Sequence, residues 1–426
     1  MVARLSRTIL GAFRRWADIA LRRREPVVTR RTKVPPTDAA ANVRSLQGRH
    51  APNVMLVASG SPPMFDKQAG GLRLHNLIRI FCEMDLKVVF ASQRSRRFFA
   101  RSAGSAKHQE RYESLLHAAG VKRIVYGPEE TEHLIRELGS ELRWAFLSFP
   151  KVANQFIAPI RFYAPGATVM YDMVDFHSLR MSREAGLKSD AALQAEAERM
   201  RLIELTNAKA ADMTIAVSES ERQGLHSVDP NLVVEVIPNV FDLPIDARLQ
   251  IDGRSGLLFV GGFRHSPNVD AVLWFVRDVW PRILSQRREM VCRIAGSNLS
   301  AEIVALLKRP GVEVLGHVPD LTSLFASSRM SVAPLRYGAG VKGKVGQSMA
   351  YGLPVVTTKI GAEGMALEPD KHILIADEPE EFAAAVLRLA TDDDLWRRLQ
   401  VNGRDFIAAS QSMVAARGKL RVVMNV

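Results

Sequence analysis

Cysteine is nearly absent: Cys82 and Cys292 are the only two among 426 residues. They lie far apart in apolar stretches, and no Cys/His cluster has zinc spacing. That excludes a disulfide-stapled scaffold and a zinc module, leaving two buried thiols in a reducing compartment as the reading. Long apolar runs are missing too. No stretch reaches the length of a membrane-spanning helix, and no apolar core with a small-residue cleavage site follows the basic N-terminus. The expectation is a cytoplasmic protein. Neither a collagen repeat, nor coiled-coil heptads, nor a disordered composition is present.

What is present is a globular composition, 47% hydrophobic and 24% charged, over a length that calls for two or three domains. The formal net charge is +13, but it is unevenly spread. Residues 1–33 carry ten Arg/Lys against Asp18 and Glu25. The charge therefore speaks of a tail rather than of the fold. Within that tail, Leu5, Ile9, Phe13, Trp16 and Ala20 share one helical face, and Arg7, Arg14, Arg15 and Arg22 the other. Such a helix suits an anionic membrane surface through residues 5–33. A helix docked on the protein's own body and a basic disordered arm are the alternatives. No nucleic-acid module is visible, so no specific nucleic-acid partner is expected.

After a linker rich in Arg, Pro and Thr, short apolar runs alternate with helical patterns. The expected strands are Asn53–Ala58, Lys87–Ala91, Arg123–Tyr126, Trp144–Ser148, Thr168–Met173, Met213–Val217 and Val233–Ile237. Helices are expected over Leu72–Met84, Glu129–Leu138 and Ala191–Ala211, and an irregular basic stretch over Arg94–Arg111. A polar, turn-rich segment, 241–255, precedes a second series. There strands at Gly256–Val260, Val291–Ala295, Val312–Leu315, Met330–Pro334 and Pro354–Thr357 alternate with helices that include Val269–Leu284 and Lys342–Tyr351. This order predicts two parallel α/β units. The expected division is an arm (1–50), a first Rossmann-like domain (51–240), a linker (241–255), a second Rossmann-like domain (256–410) and a tail (411–426) that packs back on the first domain. Ligands of such sheets bind beyond the carboxyl ends of the strands, and two facing units make a cleft.

The most informative stretch runs from Ser331 to Thr358, SVAPLRYGAGVKGKVGQSMAYGLPVVTT. A buried strand enters a loop containing Tyr337, Gly338, Gly340 and Gly343, and a helix begins near Val341–Lys344. Backbone N–H groups at such a start attract an anion. Lys342 and Lys344 oppose the helix dipole unless an anion is bound. An ordinary glycine turn with solvated lysines is the alternative. A second glycine loop, FVGGFRHSPN (259–268), brings Gly262 and Arg264, the latter able to hold a phosphate bidentately. A third, KQAGG (67–71), places Gly70 and Gly71 on the opposite side. VMYDMVDFHSLR (169–180) sets Asp172, Asp175 and His177 past a strand, where a histidine can orient a hydroxyl or be merely structural.

On these residues the chain resembles a family 4 retaining glycosyltransferase of the GT-B fold, over roughly residues 53–410. The most specific match is the block 257–358, continued by GAEG (361–364); the GG loop, D-x-V-D-x-H, AVSE (216–219) and IPN (237–239) carry it in the first domain. The resemblance implies an α/β GT-B fold, two Rossmann-like domains with parallel sheets facing across a cleft. It implies a nucleotide-sugar donor as substrate, no cofactor and no metal. A saccharide or lipid-linked acceptor is implied as partner. Arg264, Gly340, Val341, Lys342 and Lys344 would surround the donor diphosphate. Gln347 would contact the donor ribose from the position of the second Glu of an E-x7-E motif, whose first Glu is replaced by Ala339. His317 and Val318 would lie near the base, Gly70 and Gly71 near the phosphates or acceptor, and His177 on the acceptor side. Other nucleotide-sugar enzymes of this fold, such as an epimerase or phosphorylase, and a non-catalytic scaffold are the competing expectations.

Overall fold

The computed structural model describes residues 53–244, 250–338 and 340–426. The basic arm with its amphipathic pattern, part of the 241–255 linker, and Ala339 lie outside the described residues.

The first layer comprises β1 (Val54–Ser59), α1 (Ala69–Glu83), β2 (Lys87–Ser92), α2 (Arg96–Ala103), α3 (Ala106–Ala118), β3 (Arg123–Tyr126), α4 (Pro128–Leu138), β4 (Leu142–Ser148), α5 (Pro150–Tyr163), β5 (Thr168–Asp172), α6 (His177–Lys188), α7 (Ala191–Ala210), β6 (Met213–Ala216), α8 (Glu219–Val228) and β7 (Val234–Val236). Its seven strands run parallel in the order β3-β2-β1-β4-β5-β6-β7. β1 is buried at every position, as a strand covered by helices on both faces requires. One side of the sheet packs Leu56, Leu147 and Val169 on Phe156 and Ile160 of α5. The other packs Met55, Val57 and Phe146 on Leu77 and Phe81 of α1.

The second layer contains β8 (Leu257–Val260), α9 (Ser266–Trp274), a π turn (Phe275–Val279), α10 (Trp280–Gln286), β9 (Cys292–Ala295), α11 (Ala301–Leu306), β10 (Val312–Gly316), α12 (Thr322–Ser327), β11 (Met330–Ala333), α13 (Gly343–Ala350), β12 (Val355–Thr357), α14 (Lys359–Ala362), β13 (Leu374–Ile375), α15 (Pro379–Thr391) and α16 (Asp393–Ser410). Its six strands, again parallel, run β10-β9-β8-β11-β12-β13. In each sheet the order reverses beside the first strand, between β1 and β4 and between β8 and β11. The crevice at such a reversal is where open α/β sheets take their ligands.

The chain then returns. Phe241 N–H donates to Gln411 O at 2.8 Å where the two crossing segments meet, and α17 (Met413–Met424) lies against α1. Ala416, Leu420 and Met424 join the core of the first sheet, and Arg417 pairs with Glu83 at 3.0 Å. Burying side chains of the Leu420 and Met424 kind contributes roughly 1.5–3 kcal/mol each.

Two expectations about segments of the first layer are corrected. Arg94–Arg111 is not irregular. Ser95 caps α2 by accepting from Phe98 N–H, Gly104 ends it at φ 101°, and Ser105 caps α3; these paired start and stop signals outweigh the charged composition. Gly70 and Gly71 belong to the first turn of α1 rather than to the loop before it.

One buried ion pair ties the first layer together at the strand ends. Arg73 of α1 donates twice to Asp172 at the end of β5, at 2.8 and 2.9 Å. It also donates to Ile237 O and Pro238 O beyond β7. Ser148 Oγ, at the end of β4, donates to Asp172 Oδ2 at 2.7 Å. Both charged side chains are sealed from water. Removing one partner of such a pair leaves an uncompensated buried charge. Asp172→Ala is therefore expected to lower unfolding stability by about 3–5 kcal/mol, read as the urea midpoint; an unchanged midpoint would show the pair to be dispensable.

Candidate active site

The switch crevice of the second sheet lies between the β8–α9 loop and the β11–α13 loop, the two glycine-rich segments that carry Arg264 and the lysines. The second loop leaves buried β11, turns at Gly338 and Gly340, and enters α13 at Gly343. Gly340 sits at φ 66°, a conformation that costs glycine little. A Cβ on Gly343 would lie 2.5 Å from Ala69 Cβ, so the first turns of α13 and α1 touch across the cleft. Neither helix has a capping side chain or an acidic residue in its first turn, whereas Ser218 caps α8 and Asp190 caps α7. Two uncapped helix N-termini in contact concentrate positive potential and unpaired N–H donors at one place, a setting for an anion.

The two lysines part company. Lys342 turns towards the first layer: its Nζ donates to Gly340 O at 2.6 Å and lies 3.6 Å from Glu363. Burial pushes its ammonium down, against the pull of Glu363 and Asp175. Lys344 turns the other way, donates to Asn268 Oδ1, and stands 4.6 Å above the Phe259 ring. Loss of solvent, with Lys342 adding repulsion, pushes Lys344 down to about 7. Asn268, itself buried, also donates to Gly262 O at 2.8 Å, so one amide joins the β8–α9 loop to the lysine of α13. Nothing in the glycine-lysine pattern marked this residue; it sits at the third position of α9, inside the SPN segment.

Gly262 touches the opposite layer, where a Cβ would lie 3.2 Å from Lys67 O. Arg264 is exposed and borders a cavity of about 460 Å3 that Tyr337, Arg336 and Lys188 also line. Arg336 is committed to Asp270 and Lys188 to Glu184. Arg264 has no ion-pair partner among the described residues. Val341 lends its carbonyl to Asn239 Nδ2 at 3.0 Å. Gln347 is half-buried on α13, three residues beyond Lys344. His317 is exposed after β10 and its proton affinity is lowered by partial burial, while Asp66 opposes. Val318 packs under Phe325 and Leu353.

His177 begins α6. The buried carboxylate of Glu204, on α7, accepts from His177 N–H at 2.8 Å and from Ser178 Oγ at 2.5 Å, capping the helix from another element. The ring Nδ1 lies 2.8 Å from Asp175 O, which leaves Nε2 for a ligand. Burial works against a charged ring, yet contact with Glu204 and the field of Asp175 prevail, and the histidine titrates above its ordinary value. Phe149 packs edge-on against it, ring centroids 6.0 Å apart. Phe149 and Val174 both hold positive φ, 82° and 65°, an uncommon and costly state for a β-branched residue. They meet Gly70, where a Cβ would come within 3.3 Å of Val174. Asp172 takes no part in this surface, being spent on Arg73 and Ser148.

Across the cleft Arg183 of α6 holds Glu363 with two bonds, 2.6 and 2.7 Å, and donates to Gly338 O at 2.6 Å. A Cβ on Gly364 would meet Ser218 at 3.0 Å. Among the described residues no group of three or more His, Cys, Asp or Glu is placed to hold a metal ion.

The sequence profile of the family Glycosyl transferases group 1 matches residues 254–392, which contain the whole switch crevice of the second sheet. This segment is similar to that family over about a third of the chain. It is 23% identical over 159 residues to an uncharacterized 44.6 kDa protein in the cps region of Klebsiella pneumoniae, a match covering 35% of this chain and 41% of that protein. The chain thus spans less than half the length of the curated relatives it matches. Solved structures share the fold over far more of the molecule. The sucrose-phosphate synthase of Thermosynechococcus elongatus superposes with a TM-score of 0.65 at 15% identity, covering 88% of this chain and 98% of that one. Anabaena Alr3699/HepE, solved with UDP and glucose, gives 0.62 at 14% identity, covering 87% and 99%. The fold of this chain is GT-B, two parallel α/β layers facing each other.

Lys344 generates a pH prediction. Its ammonium is charged below about pH 7 and neutral above, so an anion bound there draws a proton as pH rises. The affinity of a nucleoside diphosphate should fall between about pH 7.5 and 9, by up to about tenfold per unit, and Lys344→Met should weaken binding and flatten that slope. Calorimetric titration across this range checks it; an equal slope in the variant would remove Lys344 from the anion site.

Proposed function

We propose that this protein transfers a sugar from a nucleotide-sugar donor to an acceptor hydroxyl with retention of configuration. The observation that carries the reading is the anion setting at the second switch crevice, where Lys344, in the uncapped first turn of α13, is held by Asn268 of α9, the helix that follows the Arg264 loop. In the reaction the bond between the anomeric carbon and the diphosphate oxygen breaks and a bond to the acceptor oxygen forms. The acceptor hydroxyl gives up its proton, and a nucleoside diphosphate leaves. The charge that develops on the leaving group is countered by Lys344, Arg264 and helix N–H donors, fixed before the reaction begins. Its pairing with fixed cations means that no metal need share the diphosphate. His177 orients a hydroxyl through Nε2, and the closed contact between Arg183, Glu363 and Gly338 keeps water from the donor.

The match of residues 254–392 to the group 1 profile and the GT-B fold support this reading. HepE was solved with UDP and glucose, which supports a nucleotide-sugar donor here, and the cps-region relative supports a role in cell-surface polysaccharide assembly. The acceptor is a saccharide or a lipid-linked saccharide, and residues 5–33 attach the protein to the inner face of the cytoplasmic membrane. No membrane-spanning helix is found among the described residues.

The test is acceptor-dependent release of nucleoside diphosphate from a panel of nucleotide-sugars, with lipid-linked saccharide extracts as acceptors. Lys344→Met should reduce kcat/KM by about 100-fold or more, the effect of losing one preorganised charge in a dry site. Donor interconversion without acceptor would favour an epimerase instead. Flotation with vesicles of anionic phospholipid should recover the full chain and leave a form lacking residues 1–33 in the pellet; equal recovery would remove the arm from the membrane contact.

A further inference from the structure

Beneath the turn formed by Gly338 and Gly340 two carboxyl groups of the first layer each have a buried oxygen without a hydrogen-bond partner of good geometry. Glu221 of α8 is 5% exposed. Its Oε2 accepts from Val217 N–H at 3.0 Å while Ser218 Oγ accepts from Glu221 N–H at 3.3 Å. This is a variant of the capping box in which the carboxylate reaches the N–H one residue before the cap, and it occupies only half of the carboxyl group. Glu221 Oε1 is buried without a hydrogen-bond partner, and so is Asp175 Oδ1. Asp175 Oδ2 is held by Arg180 at 3.1 Å. Both groups face Gly340: from a Cβ there, Glu221 Oε1 would be 3.5 Å away and Asp175 Cβ 3.6 Å.

The cations nearby are already committed. Lys342 bonds Gly340 O and lies by Glu363, and Arg183 bonds Gly338 O and Glu363. Burial, with Asp175 adding repulsion, pushes the Glu221 carboxyl up to about 7. An unsatisfied buried acceptor is costly, and helix capping accounts for only one of Glu221's two oxygens. Two such acceptors on the first layer, facing a loop whose other side enters the anion site at α13, call for a ligand with two neutral O–H donors next to an anionic group. A diphosphate-linked pyranose has that chemistry.

We propose that Asp175 and Glu221 form the subsite for hydroxyl groups of the transferred sugar, accepting hydrogen bonds from the pyranose while the second layer holds its diphosphate. The assignment rests on the nucleotide-sugar reading above and deepens it. It makes the first layer the judge of which sugar is transferred and the second layer the holder of the nucleotide.

The experiment compares wild type with Glu221→Gln and Asp175→Asn. Glutamine keeps the oxygen that accepts from Val217 N–H and turns the unpaired acceptor into a donor, so the helix cap survives. Binding of UDP, GDP and ADP is measured beside that of UDP-glucose, GDP-mannose and ADP-glucose, with circular dichroism and thermal unfolding of each variant as the folding check. The expected result is that nucleoside diphosphate affinity stays within about twofold, while the preference for the nucleotide-sugar over its nucleoside diphosphate falls by about tenfold or more, the loss of one hydrogen bond to a charged group. The same preference in wild type and both folded variants overturns the sugar subsite and leaves the donor reading intact. Equal loss of nucleoside diphosphate and nucleotide-sugar affinity overturns it as well, because the pair would then act through loop structure. Failure of wild type to bind any nucleotide overturns the donor reading and this assignment together.

Discussion

The Arg73–Asp172 pair is the constraint on which the cleft depends. Parallel sheets expose their strand ends as a ragged edge, and here that edge must hold α1, β4, β5 and the segment after β7 in fixed relation. A single guanidinium reaches all but β4 directly, and Asp172 brings in β4 through Ser148. A hydrophobic contact could bury the same area, yet it would not fix the helix start against three main-chain segments. The pair is costly to desolvate, and its return is position: α1 begins where α13 begins, and Val174 and Phe149 are driven into backbone states they would otherwise avoid. The strain at these two residues is tolerable only because the network beneath them leaves no alternative path.

Much of the fold was legible in the sequence. Strands β1, β4, β8 and β11 are short apolar runs between turn residues, and their alternation with helical patterns is what a parallel sheet demands. Helices α5, α6 and α8 were not anticipated. Pro159 inside α5 reads locally as a breaker. Helix α6 is polar, and its cap comes from Glu204, 27 residues away. For α8 the signal was present, since Ser218 and Glu221 have the spacing of a capping pair, but a mostly polar helix of ten residues is easily read as loop.

The site divides in the same way. Glycines before a helix with lysines at its start are a local pattern, and that pattern led to the crevice. The separate destinations of the lysines were hidden, because they are set by Asn268, Glu363 and Arg183, which lie far away in sequence. Asp172 shows the opposite case. Its place at a strand end is what a catalytic carboxylate would have, and only Arg73, 99 residues distant, reveals it as structural. A residue's type and its element constrain what it can do, and its partners across the cleft decide what it does.

The return of the chain through α17 has a consequence for how this molecule can be taken apart. Covalently the helix belongs to the end of the second layer, but its apolar side, Ala416, Leu420 and Met424, completes the core of the first. A cut at the 241–255 linker therefore does not separate two self-sufficient pieces. The first would lose a wall and expose Leu77, Phe81 and their neighbours to water, and the second would carry an orphan helix. Exchange of second layers between relatives, whether in evolution or in a laboratory chimera, has two junctions to satisfy, one near Phe241 and one near Ser412, with α17 kept beside its own α1.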